Sequence, residues 1–431
     1  MRPVILLYKI IVVVISFLLV RNSSAQSSPG SDTMYLLKAD HVFDGEMMHD
    51  NWQVLIRHNK IEAAGSIEKN YPNAIVIELK GCTLLPGLIE GHSHLFLHPY
   101  NETGWDDQVL KESYAERVAR ATVHAKNTLY AGFTTVRDLG TEGAGYADVG
   151  LKQAIEKRII PGPRMIVATR AIVATGSYGP KVLKDEIDIP KGAAEADGTD
   201  ALIKEVRTQI GKGADVVKLY ADYRWGDNDE AEPTFTLDEL RTAVEVAHSS
   251  GRIVAAHATT AEGMRRATLA GVNTVEHGND GTPDVFELMK QKGTALCPTL
   301  AAIEAIAQYK GWRKGIDPEP GSVTQKKKSF SDALKAGVII CMGGDVGVFT
   351  HGDNAREMEL MVEYGMKPVD VLRSATSVSA DVFKMNEKIG RIKPGLLADI
   401  IAVHGNPSLN IHDIRSISFV MKDGVVYVKD K

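Results

Sequence analysis

Six polar residues occupy the same kind of place in this 431-residue chain, each closing or sitting inside a short apolar run. They are His92 and His94 in L-L-P-G-L-I-E-G-H-S-H, Lys218 in D-V-V-K-L-Y, His257 in I-V-A-A-H, His277 in T-V-E-H-G and Asp345 in V-I-I-C-M-G-G-D. Parallel α/β folds gather the C-terminal ends of their strands into one crevice, so residues this far apart in sequence are able to meet there. Four imidazoles, a carboxylate and an amine at one spot describe a divalent-metal site with a base attached.

His92 and His94 are two residues apart, which in extended backbone puts both rings on one face. Lys218 lies in a run apolar enough to be buried on both sides. There, desolvation and nearby cations depress an ammonium pKa. A neutral amine is able to add CO₂ and become a carbamate, an anionic ligand with two oxygens that can bridge two metal ions. Taken singly, His257 or His277 reads as an ordinary core histidine. Two successive strands ending in histidine, after one carrying lysine, favour ligation instead. Asp345 is placed both to ligate a metal and to accept a proton from an attacking water.

The elements that must position these residues follow from the texture of the chain. Eight apolar runs begin near Leu84, and they alternate with helical stretches at about 113–130, 148–157, 199–211, 237–249, 261–270, 283–291, 322–336 and 354–363. Eight β-then-α units predict a (β/α)₈ TIM barrel over residues 88–387. Roughly 250 residues separate His92 from Asp345, the usual span of that barrel. Residues 34–87 and 388–431 read as short strands and are expected to form a composite β-sandwich beside it.

A formal charge of −5 argues against nucleic acid as a partner. The first 25 residues carry Arg2, Lys9 and Arg21 without an acid, flank an apolar stretch at 10–20 and end on Ser23-Ser24-Ala25. That pattern predicts a signal peptide cleaved near Ala25, with a linker at 26–33 and export to the periplasm or medium. The apolar stretch is short for a membrane span of roughly 20 residues, so no stable anchor is expected. The three cysteines, Cys82, Cys297 and Cys341, read as buried thiols rather than a disulfide framework.

Several of these motifs together resemble the amidohydrolase superfamily, in its branch with a binuclear metal centre and a carboxylated lysine. P-G-L-I-E-G-H-S-H resembles the first-strand motif, with Glu90 where Asp is commoner. G-F-T-T-V-R-D-L-G resembles the second strand, and G-G-D-V-G-V-F-T-H-G-D-N-A-R-E-M-E-L the eighth strand and its loop. A-T-S-V-S-A, G-R-I-K-P-G-L-L-A-D-I and G-N-P resemble the C-terminal signature. Within the superfamily the chain looks most like imidazolonepropionase-like proteins, Xaa-Pro dipeptidases, basic-residue carboxypeptidases and ochratoxin-hydrolysing amidases. The resemblance implies one metal on His92, His94 and Asp345, a second on His257 and His277, and carboxylated Lys218 between them. Zinc is the default for such ligands, which do not by themselves fix the metal. Imidazolonepropionases proper use one metal and lack the lysine, so Lys218 argues against that activity. Where many relatives carry Gly-Gly-His after the third strand, this chain reads T-G-S-Y-G-P, with Tyr178 in that place.

The chemistry expected is hydrolysis of a dipeptide or N-acyl amino acid bearing a free carboxylate. Asp345 serves as general base and then acid. Tyr220, on the same strand face as Lys218, is positioned to donate to the oxyanion. Arg137, Arg224 and His351 are candidates for binding the substrate carboxylate, arginine being suited to bidentate recognition. A lactonase or other carboxylic ester hydrolase would use the same centre. A metal-free scaffold is the non-enzyme alternative, opposed by the presence of all six ligand types. A homo-oligomer is compatible with the sequence.

Overall fold

The computed structural model describes residues 33–180 and 188–430, so the export signal expected at 1–25 lies outside the described residues. Alternating apolar residues near the N-terminus form β1 (Met34–Phe43), β2 (Met48–Asp50), β3 (Gln53–Arg57), β4 (Lys60–Gly65) and β5 (Ile75–Pro86). Only Gly87 separates β5 from β6 (Leu88–Ser93), the first strand of a different kind, buried along its whole length. Parallel strands follow: β7 (Phe133–Asp138), β8 (Arg164–Val167), β9 (Ile172–Val173), β10 (Ala194–Glu195) and β11 (Val216–Tyr220). A small antiparallel pair, β12 (Asp222–Arg224) and β13 (Ala231–Pro233), comes next. Then come β14 (Ile253–Ala258), β15 (Thr274–His277) and β16 (Ala295–Cys297). The C-terminal segment supplies β17 (Ile400–His404), β18 (Ile417–Lys422) and β19 (Val425–Lys429).

The two terminal segments pair through β5 and β17. Their strands lie on one hydrogen-bonded path, β19-β18-β17-β5-β1-β3-β4, with β2 on β1. Leu37, Val54, Ile56, Ile77, Leu84, Phe419 and Met421 cluster in a core of their own there. Cys82 is buried in the same cluster, and all three cysteines are free and buried.

The remaining parallel strands make two arcs, β6-β7-β8 and β10-β9-β11-β14-β15-β16. Seven of the eight expected strands appear. The eighth run, residues 338–346, forms no ladder and instead joins the arcs by isolated bridges, Leu296 with Ile340 and Ser93 with Val346. Backbone bonds from Cys341 N to Leu296 O (2.9 Å), Gly91 N to Met342 O (3.0 Å) and Asp345 N to His92 O (2.9 Å) hold it between β16 and β6. The Gly343-Gly344 pair explains the irregularity. Gly344 N donates to the Glu90 carboxylate (2.9 Å), so a side chain takes the place of a ladder partner. At the other junction, β8 stops at Val167, the chain turns at Thr169 (φ 62°), and Asp215 N reaches Val167 O (2.8 Å).

Helices lie where the periodicity predicts them, at Tyr114–Tyr130, Ala147–Glu156, Gly198–Lys212, Leu237–Ser249, Ala261–Ala270, Pro283–Lys292, Gly321–Ala336 and Ala355–Glu363. Short helices not expected lie at Trp105–Lys111, Pro368–Arg373 and Ser379–Val382, and a longer one, also not expected, is Leu300–Tyr309. Its sequence, L-A-A-I-E-A-I-A-Q-Y, is apolar on nearly every face, which removes the contrast that marks an amphipathic helix. Between the arcs, Ile89, Ile166, Val216, Ala255, Ala295, Cys297 and Cys341 pack together with Phe383.

Gly343 sits where these layers touch. A Cβ there would strike Cys297 Sγ and come within 2.8 Å of His92 N and 3.1 Å of Gly91 C. Backbone cannot retreat as a flexible side chain can, so Gly343→Ala is expected to destabilise the protein by about 1–3 kcal/mol. Urea unfolding checks this; an unchanged midpoint would mean that the eighth run is looser than described.

Candidate metal centre

The C-terminal ends of β6, β11, β14 and β15 and the irregular run at Asp345 converge on one cavity of about 390 Å³. His92, His94, His257, His277 and Asp345 line it, with Tyr178, Tyr220 and Arg224. His92, His94 and Asp345 each present a ligand atom, all within 4.8 Å of one another. Asp345 Oδ1 lies 3.6 Å from His92 Nε2 and 3.4 Å from His94 Nε2. The His277 ring is 4.9 Å from that of His92 and 4.4 Å from that of His257, centroid to centroid. Strand register brings them together, since His277 pairs with Ala258 across β14–β15, and His257 with Tyr220 across β11–β14.

Three of the four imidazoles are held by a hydrogen bond at Nδ1. His92 Nδ1 pairs with Glu276 (2.9 Å), His94 Nδ1 with the Gly140 carbonyl (2.8 Å) and His277 Nδ1 with the Thr299 hydroxyl (2.9 Å). For His257 the Nε2 side faces Asp222, at 3.7 Å, which leaves Nδ1 as the other nitrogen. Fixing one ring nitrogen orients the other for a metal, as outer partners of ligating histidines generally do. Burial pushes His92, His257 and His277 well below the usual imidazole range, with the Lys218 charge adding to the effect at His92 and His257. Neutral rings offer lone pairs, which is the state ligation needs.

Lys218 lies mid-strand in β11, every residue of which is buried. Its amine is buried with no hydrogen-bond partner among the described residues, and burial pulls its pKa down. Asp345 Oδ1 likewise has no hydrogen-bond partner among the described residues, and burial pushes its carboxyl up against the opposing influence of His94 and Lys218. Buried polar atoms left unpaired are costly and therefore uncommon. Two of them beside three oriented imidazoles suit a bound cation. His277 (φ 74°) and Asp345 (φ 63°) also hold left-handed backbone, strain of the order of 1–3 kcal/mol that gathers at functional sites.

Behind this shell is a second layer that sequence reasoning missed. Glu276 is fully buried and accepts from Arg137 (2.8 Å) and from the Thr274 hydroxyl (2.5 Å), while its other oxygen meets His92. Glu90 accepts from His92 N (3.1 Å), Gly344 N (2.9 Å) and Asn354 Nδ2 (2.9 Å), and burial raises it to about 7. Glu276 did stand in view, one residue before His277 in T-V-E-H, but a lone acid in a strand carries no signal of its partner. Cys297 also falls near His92 and Glu276. In that grouping His92 Nδ1 and Glu276 are already bonded to each other, and Glu276 to Arg137, so their atoms are taken.

Two expected substrate contacts are corrected. Arg137 does not face the cavity: its guanidinium donates to Gly91 O (2.6 Å), Thr274 Oγ1 (2.9 Å) and Glu276, and stacks over Phe383. His351 is also buried outside it, with Nε2 on Leu97 O (3.0 Å) and its ring stacked on His124. Arg224 does line the cavity, exposed at the rim beside Tyr223. Tyr178 packs against Tyr220 and Tyr223 (4.8 Å each) and donates to Glu142. Tyr220 stacks flat on His257, and burial lifts its phenol well above the ordinary range, so it keeps its proton. Ala302, Ile303 and Ile306, from the Leu300–Tyr309 helix, make the opposite, apolar wall.

Residues 83–428 match the amidohydrolase family. The ochratoxinase of Aspergillus niger is 28% identical over 429 residues, covering 89% of this chain and 84% of that protein. Among solved structures, a Xaa-Pro dipeptidase with methionine bound in its active site superposes with a TM-score of 0.81 at 32% identity, over 92% of this chain and 100% of the other. A prolidase complexed with N-methylphosphonate-L-proline gives 0.81 at 27% identity, over the same shares of the two chains.

Arg137 and Glu276 are both fully buried. Removing one member of a buried ion pair strands the other charge and costs about 3–5 kcal/mol. Arg137→Met is therefore expected to lower stability by that amount, measured by urea unfolding, and Arg137→Met/Glu276→Gln to recover part of it. A near-neutral single variant would show that Glu276 is carried by His92 and Thr274 alone.

Proposed function

Because this chain belongs to the amidohydrolase family, we propose that it is a metal-dependent hydrolase of a peptide-type amide bond in a dipeptide or N-acyl amino acid with a free carboxylate. The observation that carries this reading is the grouping of His92, His94 and Asp345 within 4.8 Å, beside His257, His277 and the partnerless Lys218 amine. In this reading the two parallel arcs and the 338–346 run are a (β/α)₈ barrel, with the terminal sheet as a separate layer. The relatives that support the choice of bond are an ochratoxinase, a Xaa-Pro dipeptidase and a prolidase. The N-terminal segment, read as an export signal, would place the enzyme outside the cytoplasm.

His92, His94 and Asp345 would hold one divalent cation, and His257 and His277 a second, with zinc the default for this donor set. Lys218 would join them after its neutral amine adds CO₂ and releases a proton, giving the carbamate. When bound, such cations polarise the scissile carbonyl and lower the pKa of a water. The protein's own groups do the rest. Asp345 takes the proton of the attacking water and delivers it to the departing nitrogen, which cannot leave as an amide anion. Tyr220 keeps its phenolic proton and donates to the oxygen on which charge develops. Arg224, at the rim, would pair with the carboxylate of the leaving amino acid. The tyrosine side and the apolar side of the cavity exclude bulk water around the reacting bond.

Lys218→Ala is expected to halve the metal content found by elemental analysis and to remove most hydrolysis of a dipeptide and N-acyl amino acid panel. Full turnover with both metals retained would sink the carbamate assignment. Asp345→Asn is expected to lower kcat by roughly 10²–10⁴, the usual contribution of a positioned acid–base group. Matched amide and ester substrates distinguish bond preference: a kcat/KM that favours the ester by more than its intrinsic reactivity would make this an ester hydrolase.

A further inference from the structure

One carboxylate in the cavity has no part in the chemistry above. Glu142 lines the cavity and is 2% exposed. Its Oε2 is held by two donors, the Trp105 indole N–H (3.0 Å) and the Tyr178 hydroxyl. Its Oε1 is buried and has no hydrogen-bond partner among the described residues. The nearest cationic candidate, His94 Nδ1, is 3.9 Å away and already bonded to Gly140 O at 2.8 Å, so Glu142 is not what orients that ring. The backbone at Glu142 is left-handed (φ 49°). Gly140 leaves room for the free oxygen, since a Cβ there would come within 3.2 Å of it. Arg117 binds the loop from behind, through the Glu142 carbonyl (2.6 Å), and does not reach the carboxylate. Tyr178 packs against Trp105 (5.1 Å) on the carboxylate side and against Tyr220 and Tyr223 (4.8 Å each) on the other; the Lys218 amine stands over Tyr220 (5.4 Å) and the Arg224 guanidinium over Tyr223 (5.6 Å), so among the described residues Tyr178 is the ring of the three without a cation over it.

A carboxylate oxygen fixed in place, left without a donor and set beside aromatic rings has the chemistry of a receptor for a cationic nitrogen. We propose that Glu142, with the Tyr178 and Trp105 rings that hold it, forms a subsite for an ammonium or guanidinium group that the substrate carries on the acyl side of the scissile bond. The carboxylate-bearing leaving group then lies toward Arg224. This makes an unblocked dipeptide, or an amide of a basic amino acid, a better substrate than a neutral N-acyl amino acid. The inference rests on the amide-hydrolase reading for its account of turnover. It does not depend on that reading for the binding itself.

The test uses three amides on the metal-loaded enzyme: lysyl-alanine, norleucyl-alanine and hexanoyl-alanine. The first step of the series removes the side-chain ammonium, and the second removes the α-ammonium. A fall in kcat/KM of about ten- to hundredfold is expected at one of the steps, the size of a charge-assisted hydrogen bond, and that step identifies which nitrogen is read. In Glu142→Gln the same step is expected to shrink severalfold or more. Tyr178→Phe, which removes one donor from Oε2, is expected to shrink it less. Equal kcat/KM for all three amides, or a step that survives Glu142→Gln intact, overturns the subsite and leaves the amide-hydrolase reading standing. If none is cleaved, that reading fails. The subsite is then decided by calorimetric binding of norleucinamide, lysinamide and hexanamide, and lack of preference for the charged ligands overturns it.

Discussion

Glu276 is the carboxylate on which the rest of the site depends. It has no exposure, so its charge must be met by protein groups, and burying an unmet charge costs several kcal/mol. Arg137 meets one oxygen and His92 the other. One acid thus ties β7 to β15 and sets the ring of the first histidine. Arg137 in turn donates to the carbonyl of Gly91, whose own N–H donates to the Met342 carbonyl. A purely apolar interior would pack as well but would leave the imidazole free to turn.

The same logic repeats outward. Glu90 collects the N–H groups of His92 and Gly344, so the irregular run that carries Asp345 is pinned by a side chain from β6. Lys326 does a related job at β15, donating to the His277 carbonyl (2.6 Å) and to Asn279 (2.7 Å). The left-handed turns at His277 and Asp345 persist because these bonds determine the backbone around them. Glu276, Glu90, Arg137 and Lys326 are therefore hydrogen-bonded, while the inner atoms, the Lys218 amine and Asp345 Oδ1, have no hydrogen-bond partner among the described residues. That contrast separates the groups that build the site from those that meet a ligand.

Much of this was legible in the chain. Apolar runs followed by periodic polar–apolar stretches located eight helices to within a residue or two, because each helix has one face against the strands and one in water. The position of a polar residue at a strand end gave the five that line the cavity, His92, His94, His257, His277 and Asp345, since parallel strands share direction, while Lys218 lies buried mid-strand. Arg137 also stands at a strand end, and there the same signal misled. Position in a strand fixes a level and a face, but not whether a long side chain turns to the cavity or crosses to a buried acid. His351 failed for a similar reason, its loop folding back so that the ring meets Leu97 and His124. Residues 300–309 carry apolar groups on nearly every side, and periodicity has nothing to report from such a segment.

The sequence by itself determined the alternation of strand and helix, the pairing potential of the two terminal segments, and which residue types stand at the strand ends. These follow from local periodicity and from the direction of the chain. Only the tertiary structure decided which nitrogen of His92, His94 and His277 is held, that Glu276 holds the His92 ring and Glu90 its backbone, that the eighth run is bridged rather than laddered, and that Glu142 keeps one oxygen free. Those outcomes rest on contacts between residues tens to hundreds of positions apart. Their distances are set by packing, which no local pattern encodes.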